Sequence, residues 1–243
     1  MYDNLPEQDY IQQLSLECVI FGYHDRQLWV LVPKLDFKGD FWALPSGFIY
    51  QEEDTDAAAH RILRHRTGLH DLYLEQFHVF GRAGRKAQAL LDQLIEQNPR
   101  LRKAGEKHRA TYEWFSRRFI SIGYYALVDM RRVTPRKTAL DSAIEWYSIK
   151  SMPPLIMDHQ EIVDKALDTL RRDLDDKLHA FNLLPETFTM KEVQRLYEAI
   201  YDRTFSRSNF QKKILSLNVL ERLGKKYTGA ANKAPYLYRF AST

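Results

Sequence analysis

Cysteine is nearly missing from this 243-residue chain. Cys18 is the only one, which rules out a disulfide framework, and its position in the apolar run LECVIFG reads as a small buried hydrophobe. No apolar stretch approaches the roughly 20 residues that span a bilayer. The opening MYDNLPEQDY is acidic and polar rather than a secretory signal. These absences predict a cytoplasmic protein with no membrane partner. Charge of one sign is also scarce overall, with a net of +4. The surplus is uneven, however: from 185 to 243 there are 11 Lys and Arg against 5 Asp and Glu, so the rest of the chain is slightly acidic. A basic tail on a near-neutral body suggests a nucleic-acid-binding appendage. The length allows two domains, each with its own core.

What is present begins with two apolar runs, Leu16 to Gly22 and Leu28 to Pro33, separated by Tyr-His-Asp-Arg, which predict a hairpin. FWALPSGFI (41–49) reads as a strand. A helix then runs from about Asp56 to Arg66, with Asp54 or Thr55 as its cap and Gly68 as its stop. Ala58, Ile62 and Leu63 would face a sheet. Further strands are expected at 72–80, 119–128 and 144–149. Between them, residues 81–118 interrupt the pattern with a basic insert containing the helix-like AQALLDQLIEQ (87–97). Asp158 and Glu161 form a cap pair that opens a long helix, on which Ile162, Val163, Ala166, Leu167, Leu170 and Leu174 make an apolar stripe. Strands with one helix after the third and one at the end fit an α/β/α sandwich of mixed sheet.

The tail carries its own signals. Thr189 and Glu192 make a capping box, opening a helix with Val193, Leu196, Tyr197 and Ile200 on one face. Ser206 can cap a second helix in which Phe210, Ile214 and Leu217 point inward. Two strands, 219–223 and 236–240, flank a loop rich in Lys, Gly and Ala. Helix, turn, helix and hairpin in that order outline a winged helix-turn-helix over 185–243. Arg207, Ser208, Asn209 and Gln211 sit on the exposed start of the second helix, where they can read base edges in a major groove. Lys212, Lys213, Lys225, Lys226 and Lys233 suit phosphates. A small helical domain with a solvated basic face is the alternative for this segment.

One stretch ties these parts together. In GFIYQEEDTDAAAHRILRHRTGL, residues Gly47, Glu53, Arg61, Leu63, Gly68 and Leu69 fall at the spacing G-x5-E-x7-R-E-U-x-E-E-x-G-U, with U apolar, and so the segment resembles the Nudix box. The positions that should carry metal-binding carboxylates are Ile62, His65 and Arg66. Mg2+ takes oxygen ligands, which none of these supplies. His60 and His65, five residues apart, fall on different faces of the helix and are not a zinc pair. Neither a catalytic residue nor a metal or other cofactor is therefore expected. The alternative is a Nudix hydrolase that uses Glu52 and Glu53 for metal.

A decayed box followed by LLP-x2-F-T-x6-LYEAIY and S-x-NFQKKI resembles the Nudix-related transcription regulators, which include the NrtR repressors and arabinose-responsive regulators. The resemblance implies a Nudix-like effector-sensing domain over about 10–180, with the insert at about 84–115, and a DNA-binding winged helix. It also implies a homodimer, a double-stranded operator, and a small effector that is a sugar or an ADP-ribose-like nucleotide. Carried onto this chain, the effector cleft would involve Trp42, Ser46, Phe48, Arg82, Arg118 and Tyr124. Taken singly, Trp42 and Phe48 read as core, and Arg82 or Arg118 as half of a solvated ion pair.

Overall fold

A computed structural model describes residues 9–70, 72–103, 112–178, 183–226 and 234–241. The first hairpin is longer than the apolar runs suggested: β1 (Tyr10–His24) turns directly into β2 (Gln27–Leu35). Asp25 and Arg26 both take positive φ, 46° and 62°. That is the backbone a two-residue hairpin turn needs to match the twist of its strands. Next come β3 (Ser46–Tyr50), α1 (Thr55–Thr67), β4 (Leu74–Phe80) and α2 (Gln88–Gln97). They are followed by β5 (Ile120–Asp129), β6 (Asp141–Ser148) and α3 (His159–Lys177). The expected strand over 41–49 is shorter than its apolar run. Trp42 makes only isolated bridges to Lys34 and Leu155, because Pro45 interrupts the ladder ahead of β3.

These strands form one mixed sheet in the order β4-β5-β1-β2-β6, with β3 paired to β1 off that path. β1 and β5 run parallel over Leu14–Tyr23, and the other pairs are antiparallel. Side chains of β1 alternate between two faces. Leu16, Cys18 and Ile20 pack with Ala58, Ala59, Ile62 and Leu63 of α1. Val19 and Phe21 pack with Ile162, Val163, Ala166 and Leu170 of α3. The stripe on α3 predicted from its spacing is thus one wall of the core, and the layering is helix, sheet, helix.

The tail forms β7 (Phe188–Thr189), α4 (Met190–Tyr201), α5 (Arg207–Ser216), β8 (Leu220–Lys225) and β9 (Tyr236–Phe240). The capping box is present: the Thr189 side chain accepts from Glu192 N–H, and Glu192 accepts from Thr189 N–H. β7 is a strand too short to read from the sequence; it makes the wing three-stranded, in the order β7-β9-β8. Phe188, Val193, Leu196, Tyr197, Ile200, Phe210 and Ile214 belong to the same continuous apolar cluster as α3. The joint is also polar. Arg171 Nε donates to Ile200 O at 2.9 Å, Tyr201 OH to Arg171 O at 2.6 Å, and Tyr197 OH to Asp175 Oδ1 at 2.9 Å. A guanidinium on one of the last carbonyls of α4 satisfies an acceptor the helix leaves open and complements the dipole there. Among the described residues, no helix is long and apolar enough to cross a membrane.

Candidate effector and nucleic-acid sites

The loop-helix-loop keeps its frame. Arg61 grips Glu53 with two hydrogen bonds of 2.7 Å, donates a third to Phe48 O at 2.8 Å, and lies over the Tyr50 ring. These bonds hold the Glu53 carboxyl below the usual range. At Gly47 a Cβ would meet Ile62 Cδ1 at 2.8 Å, so a larger residue there requires that side chain to shift. Gly68 ends α1 in the left-handed region at φ 73°, which glycine adopts without steric cost.

The acid positions of the signature hold other side chains. Ile62 is buried against the sheet, and His65 is exposed. Arg66 is buried and paired with the equally buried Asp141, which also accepts from Thr138 N–H and Oγ1. A guanidinium thus occupies a position where the signature carries an acid, and it is neutralised from β6. Glu53 has both oxygens engaged by Arg61, leaving Glu52 exposed and alone beside it. Among the described residues, no group of three or more His, Cys, Asp or Glu is arranged to hold a metal ion.

On the opposite face of the sheet lies a polar cluster that the sequence reading passed over. Glu17 points toward α3 from the middle of β1, only 5% exposed. Its Oε1 accepts from Ser15 and Ser121, at 3.3 and 3.2 Å, and the two hydroxyls are 2.6 Å apart. Its Oε2 has no hydrogen-bond partner. Burial outweighs the nearby Arg85 guanidinium and raises the Glu17 carboxyl to about 7. Arg85 Nη2 lies 3.9 Å from Glu17, while its Nε donates to Asp158 at 2.6 Å. His159 Nδ1 accepts from Leu44 N–H at 2.9 Å. The ring proton therefore sits on Nε2, which faces Glu17 Oε2 at 3.8 Å. Burial lowers the His159 imidazole to about 4.

The expected cap pair on α3 is accordingly different. Asp158 is the N-cap residue but makes no side-chain cap bond, because Arg85 takes its carboxylate. Glu161 is taken by Arg82 through contacts of 2.7 and 3.1 Å. The signal available in the sequence was an acid inside LECVIFG, a run otherwise apolar around that position.

The six residues named for the effector do not form one surface. Tyr124 belongs to the α1 face; its hydroxyl donates to Asp56 at 2.6 Å, and burial, followed by that carboxylate, raises it to about 12. Phe48 packs edge-on against Trp114 and close to Phe115 and Phe119, so the end of the insert closes over it. Ser46 is exposed opposite Glu17 in the ladder. Trp42 is half-buried on the α3 side, edge-on to Tyr147 and beneath Lys34. Arg82 is exposed on the first turn of α3 with Glu161, and Arg118 is exposed just before β5. Of the six, Ser46 lies beside Glu17 as its cross-strand partner, and Arg82 approaches the cluster through the turn it shares with Arg85.

On the winged helix, Arg207, Ser208, Asn209 and Lys212 are exposed and Gln211 is half-buried. Ser206 is the N-cap, without a side-chain cap bond. A hollow of about 540 Å3 beside this helix start is lined by Arg203, Phe205, Ser206, Asn209 and Lys213, among others. Lys213 lies 2.8 Å from Asp175 of α3 and over the Tyr197 ring, so it is engaged by the body. Lys225 and Lys226 are exposed on the wing, where Arg222 and Lys225 both lie over Tyr236. Lys233 lies outside the described residues.

With this geometry, the chain was compared with known proteins. Residues 180–240 match the family described as the NrtR DNA-binding winged helix domain. A curated relative from Acinetobacter baylyi, the ADPR responsive transcriptional repressor NtrR, is 25% identical over 235 residues, covering 94% of this chain and 82% of that protein. Shewanella oneidensis NrtR in complex with a 27mer DNA superposes with a TM-score of 0.67 at 22% identity, over 95% of this chain and 94% of that one. A MutT/nudix family protein from Enterococcus faecalis gives 0.65 at 19% identity, over 95% and 87%. These structures share the whole layout, sandwich and tail together.

Proposed function

We propose, for a chain that belongs to the NrtR-like family, a ligand-responsive DNA-binding transcriptional regulator whose Nudix-like body senses a small effector without hydrolysing it. The observation that carries this reading is the coexistence of an exposed polar helix start, Arg207 to Lys212, with a box whose acid positions hold Ile62, His65 and the Asp141-bound Arg66. The Acinetobacter relative is named for its response to ADPR. An ADP-ribose-like nucleotide or a sugar is the effector class we assign here, with Trp42, Ser46, Phe48, Arg82, Arg118 and Tyr124 as the first residues to test. The units are a sensing domain over 10–180 and a reading domain over 185–243. As a homodimer the protein would meet a roughly palindromic operator, since two-fold symmetry in the protein is matched by two half-sites. We take its compartment to be the cytoplasm. Effector binding alters DNA affinity only if the two arrangements of the winged helices bind effector unequally.

Arg207, Ser208, Asn209 and Gln211 would read bases, each good bidentate contact contributing about 1–3 kcal/mol of discrimination. Lys212, Lys225, Lys226 and Lys233 would hold phosphates. Lys213, bound to Asp175, would instead fix the helix to the body. Mobility shifts on the gene's own upstream DNA test this assignment. Arg207→Ala is expected to relax sequence preference, and Lys212→Ala to lower the salt slope by about one. Lys213→Ala leaves the slope where it was. No shift of any fragment at low salt would refute the regulator. Turnover of ADP-ribose with Mg2+ or Mn2+, abolished by Glu53→Gln, would establish the hydrolase in its place.

A further inference from the structure

The pair formed by His159 Nε2 and Glu17 Oε2 is incomplete in a specific way. One is a ring N–H, the other a buried acceptor without a partner, and 3.8 Å separates them. That is too long for a hydrogen bond, and it is a spacing at which an intervening oxygen can bridge. The bridging group must accept from nitrogen and donate to carboxylate. An ionised phosphate oxygen only accepts and an ammonium only donates, whereas a hydroxyl, of a ligand or of the water it would displace, does both. The charges agree. Among the described residues Glu17 and Asp158 face one arginine, Arg85, whose Nε is already committed to Asp158, which leaves no excess positive charge for an anion. Ser15 and Ser121 add two more hydroxyls on the same side of Glu17.

The cover over this cluster is thin. Residues 81–84 are all exposed, and nothing lies within 4 Å of a Cβ built on Gly84. The turn is closed by Arg85 N–H donating to Arg82 O at 2.9 Å. It is held down by two arginines, Arg85 on Asp158 and Phe119 O, and Arg82 on Glu161. No apolar side chain from 81–84 is buried in the core, so lifting the turn exposes the cluster at little hydrophobic cost.

We propose that Glu17 and His159, with Ser15, Ser121, Arg85 and Asp158 around them, form the polar subsite for a hydroxyl-bearing ring of the effector, closed by the turn at 82–85. This rests on the effector-responsive reading above and narrows it to uncharged hydroxyl chemistry. Two sources present such a ring: a free pentose, or the terminal ribose of ADP-ribose. α3 gives the subsite an outlet. Its first residues line the cluster, while Arg171 and Asp175 hold the winged helix about 18 to 24 Å further along, at 1.5 Å per residue.

Calorimetric titration of the full chain with D-ribose, D-xylose, L-arabinose and ADP-ribose tests this, on wild type, Glu17→Gln and Ser121→Ala. The expected result is that at least one probe binds, that Glu17→Gln weakens it at least tenfold, and that Ser121→Ala weakens it less. Binding of a pentose identifies a free sugar as the source, and binding of ADP-ribose alone identifies the nucleotide. Should Glu17→Gln not fold, Ser121→Ala provides the same readout. The proposal is overturned if no probe binds wild type, or if a bound probe is indifferent to both substitutions. Failure of the regulator reading is separate, appearing as loss of DNA binding by wild type.

Discussion

The two faces of the central sheet have gone opposite ways. On the α1 face the charges of the box region are held by short, direct contacts, Arg61 on Glu53, Arg66 on Asp141 and Tyr124 on Asp56, although Asp141 Oδ1 is left without a hydrogen bond. On the α3 face, Glu17 keeps an oxygen without a hydrogen bond in the interior, at a cost that burial imposes on any unpaired acceptor. The Arg61–Glu53 pair holds α1 to the loop ahead of it, whereas the buried Glu17 carboxyl costs stability when ionised and is the basis of the subsite proposed above. On the subsite proposal, structure lies on one face and response on the other.

The largest effect should come from breaking the settled face. Asp141→Ala strands the Arg66 guanidinium inside the protein and leaves Thr138 N–H without its acceptor. Removing one partner of a buried pair costs about 3–5 kcal/mol, and a urea melt should show a loss of that order. A change below about 1 kcal/mol would mean that water reaches Arg66 and the pair is not interior.

The opposite face should respond with the opposite sign. With its carboxyl raised from 4.5 to about 7, Glu17 holds a proton in the folded chain that the unfolded chain releases, so stability falls as pH rises between those values and stays lost above them. Glu17→Gln should therefore stabilise at pH 8, on the order of 3 kcal/mol for such a shift, and do little at pH 4. His159 runs the other way. Lowered from 6.5 to about 4, it refuses a proton the unfolded chain accepts, so stability falls as pH drops through that window. Between about 4.5 and 6.5 the two slopes oppose, and removing Glu17 should uncover the histidine slope in melts from pH 8 to 4. Identical pH profiles for wild type and Glu17→Gln would remove the contrast between the faces.

Much of the fold was legible because period and spacing carry it. The α3 stripe, the Thr189–Glu192 box and the inward face of α4 follow from positions three and four residues apart, and all are buried or bonded as read except Leu167, which is half-buried. The frame of the box was legible for the same reason, with Arg61 on Glu53 and Gly68 closing α1. The α3-face cluster was not, because its members come from five separated places: Ser15 and Glu17, Leu44, Arg85, Ser121, and Asp158 with His159. Only the register of β1 with β5 brings Ser15 beside Ser121. Local rules even misdirected the reading at Asp158, where a cap residue was spent on an arginine 73 positions away.

The joint between α3 and the tail ranks next. Tyr201→Phe removes the bond to Arg171 O at the seam, and a neutral hydrogen bond contributes about 1 kcal/mol. The expected outcome is a small loss in melting together with a clear loss of coupling, measured as the ratio of DNA affinities with and without effector. Unchanged coupling would show that α3 does not carry the response to the winged helix.

The smallest effect belongs to the cover of the α3 face. Arg82 is 79% exposed beside Glu161, and an exposed ion pair contributes at most about 1 kcal/mol, less in salt. Arg82→Ala should hardly move the melting curve. Yet if the turn at 82–85 must lift for a ligand to enter, loosening one of its two fastenings should speed both entry and exit, leaving equilibrium affinity changed far less than either rate. Stopped-flow mixing with whichever probe binds would show this. Rates equal to wild type would mean that the ligand enters by another route and that the two arginines only decorate the helix start.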